Sequence, residues 1–292
     1  MANRWGYPDL GFGIGLRSVH FDYILKNNPA IDWFEVLSEN YLDTGGRPLN
    51  ILDQVAERYP VVLHGVSLSV GSTDAINFDY LAKLKALAKR IKARWISDHL
   101  CWTGVTGLNT HDLLPMPYTD EALRHTIERV KIIQDFLGQP IALENASTYL
   151  EFAASTWPES EFLAALAEQA DCAILLDVNN VYVSSFNHGF DAKEYIQRIP
   201  RERVVQMHLA GHTNKGTHIL DTHSDYVIET VWELYRYAHR RLGGVATLLE
   251  WDANIPEFDM VHGEALKARK FREHEDTLLE VPERNEVAAY GD

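Results

Sequence analysis

The feature that most constrains this chain is an alternation, repeated eight times, of a short apolar run with a longer segment of helical period. The runs fall at residues 11–16, 33–37, 61–65, 95–100, 141–145, 173–178, 204–209 and 247–251. Most are β-branched or aromatic and apolar on both faces, as strands buried in a parallel sheet must be. The intervening segments predict helices near 20–28, 48–58, 77–92, 119–137, 159–170, 191–198 and 224–242, and an eighth over 260–274. Leu81, Leu84, Leu87 and Ile91 give the third one apolar stripe. The seventh reads from Ser224 as N-cap, through Ile228, Val231, Tyr235 and Ala238, to Gly243 just past its end. Strands alternating with helices require parallel pairing, and eight such units predict closure into a single-domain (β/α)8 TIM barrel. The barrel is expected over 1–274, with 275–292 an acidic tail lacking periodicity.

Charge narrows the function. The formal net charge of −15 argues against nucleic acid or an anionic membrane as partner, because neutralising phosphates takes clustered Lys and Arg. The longest basic stretch, 83–94, keeps helical spacing and reads as a solvated helix face. Two cysteines, Cys101 and Cys172, lie far apart without CxxC spacing, so neither a disulfide framework nor a structural zinc site is expected. The N-terminus lacks a signal-peptide pattern, and no apolar run reaches the ~18 residues that would span a membrane. A cytoplasmic location is the expectation.

The ends of the apolar runs carry the chemistry. Glu35 in WFEVL, His64 in VVLHG, His99 in WISDHL and Glu144 in IALEN each stand at a C-terminal strand end. Asp177 in ILLDVNN, His208 in VVQMHLAGH and Glu250 in TLLEW continue the series. In a parallel barrel those ends converge on one mouth, where the active site lies. One buried ionisable group is usually a hydrogen-bonded structural residue, but seven converging carboxylates and imidazoles need compensating positive charge. Arg17 is the only cation at a comparable strand end, so metal is the simplest source. Asp221 and His223 in ILDTHSDYV, two apart on an extended segment, are expected to point the same way and join the ring. Imidazole and carboxylate without thiolate suit iron, manganese or zinc, and so many ligands predict two or three ions bridged by carboxylate.

At these residues the sequence resembles the multinuclear non-heme iron-dependent oxidative enzymes, a family that includes the iron subunit of the methanobactin maturase. The matching pieces are GFGIGLR, WFEVLSENY, LHGVSLSVGS, SDHLCW, ALENASTY, LLDVNNVYVSSFNHG, MHLAGH, DTHSD and LLEWD, which run in the family's order through residues 11–252. The resemblance implies two or three irons of mixed Fe(II)/Fe(III) valence, with O2 as co-substrate. Carried over motif by motif, it makes His64, His99 and Glu144 ligands of one iron. Glu144 would bridge to a second held by Asp177, His208 and Glu250, the catalytic set. Asn180, Asp221 and His223 would form a third position, where Asn180 stands in place of the His of some family members and offers a weaker ligand. The substrate it implies is a cysteine in a ribosomally made precursor peptide, presented with a separate leader-peptide-binding partner protein.

The roles of Glu35, His212 and the Glu39-Asn40-Tyr41 stretch stay open from sequence: the last could line the entrance or cap the rim. Cys101, beside His99, reads as a buried small hydrophobe more readily than as a redox group. A rival reading is a zinc- or manganese-dependent hydrolase or sugar isomerase on a similar barrel, distinguished by the bound metal and by O2 dependence. A third is a non-enzymatic metal-binding subunit, which requires a closed coordination sphere.

Overall fold

The computed structural model describes residues 3–273. Eight parallel strands close into a barrel in sequence order: β1 (Phe12–Gly15), β2 (Trp33–Leu37), β3 (Val61–Gly65), β4 (Ile96–His99), β5 (Ile141–Glu144), β6 (Ala173–Asp177), β7 (Val204–Leu209) and β8 (Ala246–Leu249). Helices α1 (Phe21–Asn27), α2 (Arg47–Ala56), α3 (Phe78–Ile91), α4 (Asp120–Leu137), α5 (Glu159–Ala170), α6 (Val178–His188), α7 (Ala192–Arg198), α8 (Glu229–Leu242) and α9 (Phe258–Glu273) surround it. The predicted single-domain (β/α)8 fold is therefore what forms. The expected acidic tail at 275–292 lies outside the described residues.

The helices hold because their apolar stripes are covered. Leu81, Leu84, Leu87 and Ile91 of α3 are all buried against the sheet. At roughly 2 kcal/mol per buried aliphatic side chain, such a stripe stabilises a helix that would be marginal alone. Asn77 caps α3 by accepting from the Tyr80 amide, and the basic residues of the 83–94 stretch lie on its solvent side, apart from the buried stripe.

Inside the barrel, period-2 alternation sorts each strand into an apolar floor and a polar mouth. Trp33, Val62, Trp95, Ala246 and Leu248 form one buried cluster, and Ala142, Ala173, Leu175 and Val205 another. The N-terminal residues Trp5, Tyr7 and Leu10 pack beneath them. Two residues further along most of these strands come Glu35, His64, Ser97, Glu144, Asp177 and Glu250. Gly13 makes room for this floor, since a Cβ there would collide with the Trp33 ring.

Among the elements that depart from the sequence reading are one hairpin and two helices. An antiparallel hairpin, Trp102–Val105 with Leu108–Leu114, sits between β4 and α4, turning on Thr106 and Gly107, both at positive φ. Helix α6 follows β6 without a loop, because the Asp177 side chain caps it by accepting from the Asn180 amide at 2.6 Å, and Gly189 ends it in the left-handed conformation. Helix α8 begins at Glu229, not at 224. Ser224 is no N-cap: its hydroxyl pairs with the Thr222 hydroxyl at 2.9 Å, and Ile228, expected on the buried stripe, is 37% exposed.

Candidate metal centre

Strand register gathers the ring. His99 lies level with Glu144 on neighbouring strands, and Asp177 level with His208. His64 and His99 then face each other, ring centroids 4.6 Å apart, and both aim Nε2 at Glu144 Oε2, at 3.3 and 3.4 Å. Their tautomers follow from what holds the other nitrogen. His99 Nδ1 is 3.0 Å from the Gly65 carbonyl, which only accepts, so Nδ1 carries the proton. Ser97 gives its one proton to the Leu63 carbonyl and so accepts from His64 Nδ1 at 2.9 Å. Both Nε2 atoms therefore present lone pairs to a carboxylate oxygen that has no hydrogen-bond partner. Three buried acceptors meeting with no donor between them describe a cation site.

On the other side of Glu144 a second group forms with Asp177, His208 and Glu250, all buried. His208 Nδ1 lies 3.1 Å from Glu250 Oε2, 3.7 Å from Glu144 Oε1 and 3.9 Å from Asp177 Oδ2. Asp177 Oδ2 and His208 Nδ1 are again buried without a hydrogen-bond partner. Asp177 thus divides its labour, one oxygen capping α6 and the other facing the ring. His208 Nε2 points the opposite way, 3.2 Å from Glu35, and the Gln206 amide, 2.7 Å from that nitrogen, donates to Glu35 at 2.6 Å. Trp95 fixes that amide by donating to Gln206 Oε1 at 2.7 Å. Glu35 therefore joins neither group; it backs His208 from the barrel interior.

The third group differs from the predicted partition. His223 lies with Glu250 and Asp252, its Nδ1 3.3 Å from each, while Nε2 is 2.7 Å from Asp221. His223 reaches this position from a left-handed backbone (φ 44°), not from an extended segment, so the geometric reason given for its pairing with Asp221 does not hold. Asn180 sits against the first two groups: Nδ2 is 3.3 Å from Glu144 Oε1 and 3.0 Å from the Asn145 carbonyl, leaving Oδ1 unpartnered. Asp252, half-exposed and ion-paired with Arg17, was not singled out from sequence, although its spacing from Glu250 was the available signal.

His212 stands one step back. Its Nδ1 contacts Asn179 Oδ1 at 2.7 Å, and Asn179 donates to Asp221 at 2.8 Å, so His212 orients Asp221 through an amide. Glu39 accepts from the Val66 amide and the Tyr80 hydroxyl, and Tyr41 is buried; of that stretch only Asn40 lines the cavity. Cys101 is fully buried, and burial pushes its thiol well up, as a packing residue requires.

A cavity of about 500 Å³ opens over the ring, lined by His64, His99, Asn180, His223 and Glu250 among others. Among the described residues, Arg17 is the one Lys or Arg that lines it. Burial, and then the neighbouring His99 and His208, hold His64 well below its usual pKa, and burial lowers His99. Burial raises Glu144 well above the carboxylate range; His208 opposes this, while Asp177 and Glu250 add to it. Burial likewise pushes Asp177 up to about 7. For Glu250 burial is outweighed by His208 and His223, which hold it well down. Burial is outweighed at both of these imidazoles too: Glu35, Glu250 and Glu144 raise His208, and Asp221 and Glu250 raise His223. Bound cations would offset the mutual repulsion of these buried carboxylates.

The family profile described as RiPP precursor modification enzyme MbnB/TglH/ChrH matches residues 11–273. A UPF0276 protein of Anaeromyxobacter sp. (strain Fw109-5) is 52% identical over 259 residues, 89% of this chain and 92% of that protein. One from Caulobacter vibrioides is 49% identical over 263 residues, covering 90% and 94%, and one from Vibrio vulnificus (strain CMCP6) 42% over 283, covering 96% and 94%. Among solved structures, endonuclease IV from Thermus thermophilus superposes with TM-score 0.59 at 13% identity, over 90% of this chain and 98% of that one. D-allulose 3-epimerase from Methylomonas sp. gives 0.58 at 13%, over 93% and 98%. At such identity these two share the fold and no more.

Proposed function

The chain belongs to the MbnB/TglH/ChrH family of RiPP precursor modification enzymes, and from that membership we propose that it oxidises a cysteine of a ribosomally made precursor peptide with O2, using iron ions held by the strand-end ring. The observation that carries the metal part is the convergence of His64 Nε2, His99 Nε2 and Glu144 Oε2 without a donor among them. The donor set fits iron, manganese or zinc on its chemistry; the choice of iron rests on the resemblance.

His64, His99 and Glu144 would hold one ion, and Glu144, Asp177, His208 and Glu250 a second. His223, with Asp221 and Asp252, offers ligands for a third. Bound iron would supply a Lewis acid that lowers the pKa of a substrate thiol and a redox couple for O2. The chain's own part is positional. Ser97 and Gly65 fix two imidazole tautomers, Gln206 and Glu35 brace His208, and Asn180 holds Glu144 by its Oε1. The open cavity over the ring leaves room for a side chain on an extended peptide, which a purely metal-storing subunit would not need.

The test uses iron-loaded protein and a cysteine-bearing precursor peptide of the kind this family modifies, with a partner protein where one is required. Without oxygen, the peptide should produce a visible thiolate-to-iron charge-transfer band. Admitting O2 should bleach the band and change the peptide mass by loss of hydrogens or a small carbon fragment. A Cys→Ser peptide should give no band, because a hydroxyl does not ionise as a thiol does. Equal turnover of the Ser peptide, or turnover without oxygen, sinks the proposal.

A further inference from the structure

A second and larger cavity, about 760 Å³, lies beside the metal centre between the β5–α5 loop and the start of α7. The two share a wall: Ser147 lines the metal cavity and its neighbour Thr148 lines the groove. That wall is pinned, since the Tyr149 hydroxyl accepts from the Asp221 amide at 3.0 Å and Thr148 bonds the Ser184 and His188 side chains. No step of the metal chemistry uses the groove.

Its lining has two characters. Leu150, Phe152 and Phe190 are 55%, 36% and 37% exposed, an unusual concentration of large apolar side chains at one opening. Interleaved with them are Glu151, Asp191 and Glu194, and at the floor Glu159 accepts from the Tyr195 hydroxyl at 2.8 Å. The one Lys or Arg among the described lining residues, Arg198, is already matched by Glu194 at 2.5 Å and Glu161 at 3.4 Å. The groove therefore carries surplus negative charge among exposed aromatic rings. Burial pushes Glu159 up to about 7, so a cation arriving there would be rewarded by its ionisation.

We propose that this groove docks a segment of the substrate peptide in which Lys or Arg alternates with aliphatic or aromatic residues, next to the cysteine held in the metal cavity. The proposal rests on the peptide-modifying reading above. Apolar anchors fix the segment and the carboxylates select its charge, a division common in peptide recognition. A volume of this order accommodates a few residues of extended chain.

The experiment uses the full-length protein and a fluorescein-labelled octapeptide, Gly-Leu-Lys-Phe-Lys-Leu-Gly-Gly, read by fluorescence anisotropy. The double variant Phe152→Ser/Phe190→Ser, at exposed positions, should keep the native melting temperature and metal content yet bind the probe at least roughly tenfold more weakly. Replacing both probe lysines by Glu should weaken binding to the native protein by a similar factor, and added salt should weaken the lysine probe more than the Glu probe. No binding, or binding that the double variant leaves intact, overturns the proposal. So does equal binding of the Glu probe, which would mark a plain apolar surface of the kind a folded partner protein covers. The probe has no cysteine, so these outcomes are independent of the oxidative reading. Groove binding without O2-dependent turnover would strike that reading alone.

Discussion

Replacing Glu144 with Gln should move the stability of the metal-free and metal-loaded protein in different directions. The carboxylate is 1% exposed and shared by two ligand groups, with Oε2 toward His64 and His99 and Oε1 toward His208. Without metal, burial together with Asp177 and Glu250 favours its protonated form, which Gln copies in shape while removing the option of charge. Relieving a buried charge cluster is neutral or stabilising by about 1–2 kcal/mol. With metal, the variant loses one bond to each of two ions. Removing even an outer partner of a ligand costs about 10–100-fold in affinity, so a shared ligand should cost at least ~100-fold per ion, or about 3 kcal/mol each. At a fixed free-metal concentration well above Kd, that much of the metal-induced stabilisation disappears. For a chain of this size the loss corresponds to roughly 10 °C in the metal-induced rise of Tm. Anaerobic calorimetry with and without Fe(II), beside metal content by elemental analysis, reads both halves. An equal drop in Tm for both forms, with full metal retained, would refute the reasoning and make Glu144 a structural residue.

Other consequences are as direct. His223 is a candidate ligand in the third group only, bordering the second through Glu250, so His223→Ala should keep two ions per chain and lose at most the last; equal metal loss in His223→Ala and Glu144→Gln would contradict the partition. Metal affinity should fall as pH drops toward the range in which Asp177, pushed up to about 7, binds its proton, because binding displaces protons from the ring; a flat isotherm between pH 5 and 8 would count against it. For Glu159, also raised to about 7, the folded state binds the proton more tightly than the unfolded chain. Its favourable contribution is thus complete below the unfolded carboxyl pKa and is lost as pH rises through about 7. Glu159→Gln should remove this loss, on the order of 2 kcal/mol, in urea unfolding at pH 8 but not at pH 4.5; the same difference at both pH values would show that Glu159 acts through its hydrogen bonds to tyrosine instead.

The barrel was legible because buried parallel strands need apolar residues on both faces, and the runs at 33–37, 61–65 and 204–209 stand at the observed bounds. The ring was legible for a related reason: a charged residue ending such a run has nowhere to go but the mouth. What stayed hidden depends on single side chains serving two elements. Asp177 ends β6 and caps α6, so a helix rich in Val and Asn, starting without a loop, has no predicted counterpart between the run at 173–178 and the helix near 191–198. The hairpin over the mouth had half a signal: Gly107 suits a positive φ, but β-branched Thr106 also adopts one (φ 54°), which its side chain disfavours, so the pair did not read as a turn. The partner of His223 was hidden because its reach depends on a left-handed backbone that no periodicity encodes. Glu35 looked equivalent to the other strand-end acids, and only the Trp95–Gln206–His208 contacts separate it from them.

The central claim is that the strand-end ring holds more than one ion through a shared Glu144. Anomalous diffraction at the iron absorption edge, on crystals of protein expressed with iron, tests it most directly. The account predicts two strong peaks flanking Glu144, one beside the Nε2 atoms of His64 and His99 and one beside Asp177, His208 and Glu250, with any third peak next to His223. A single peak, or density that appears only above the zinc edge, would contradict it.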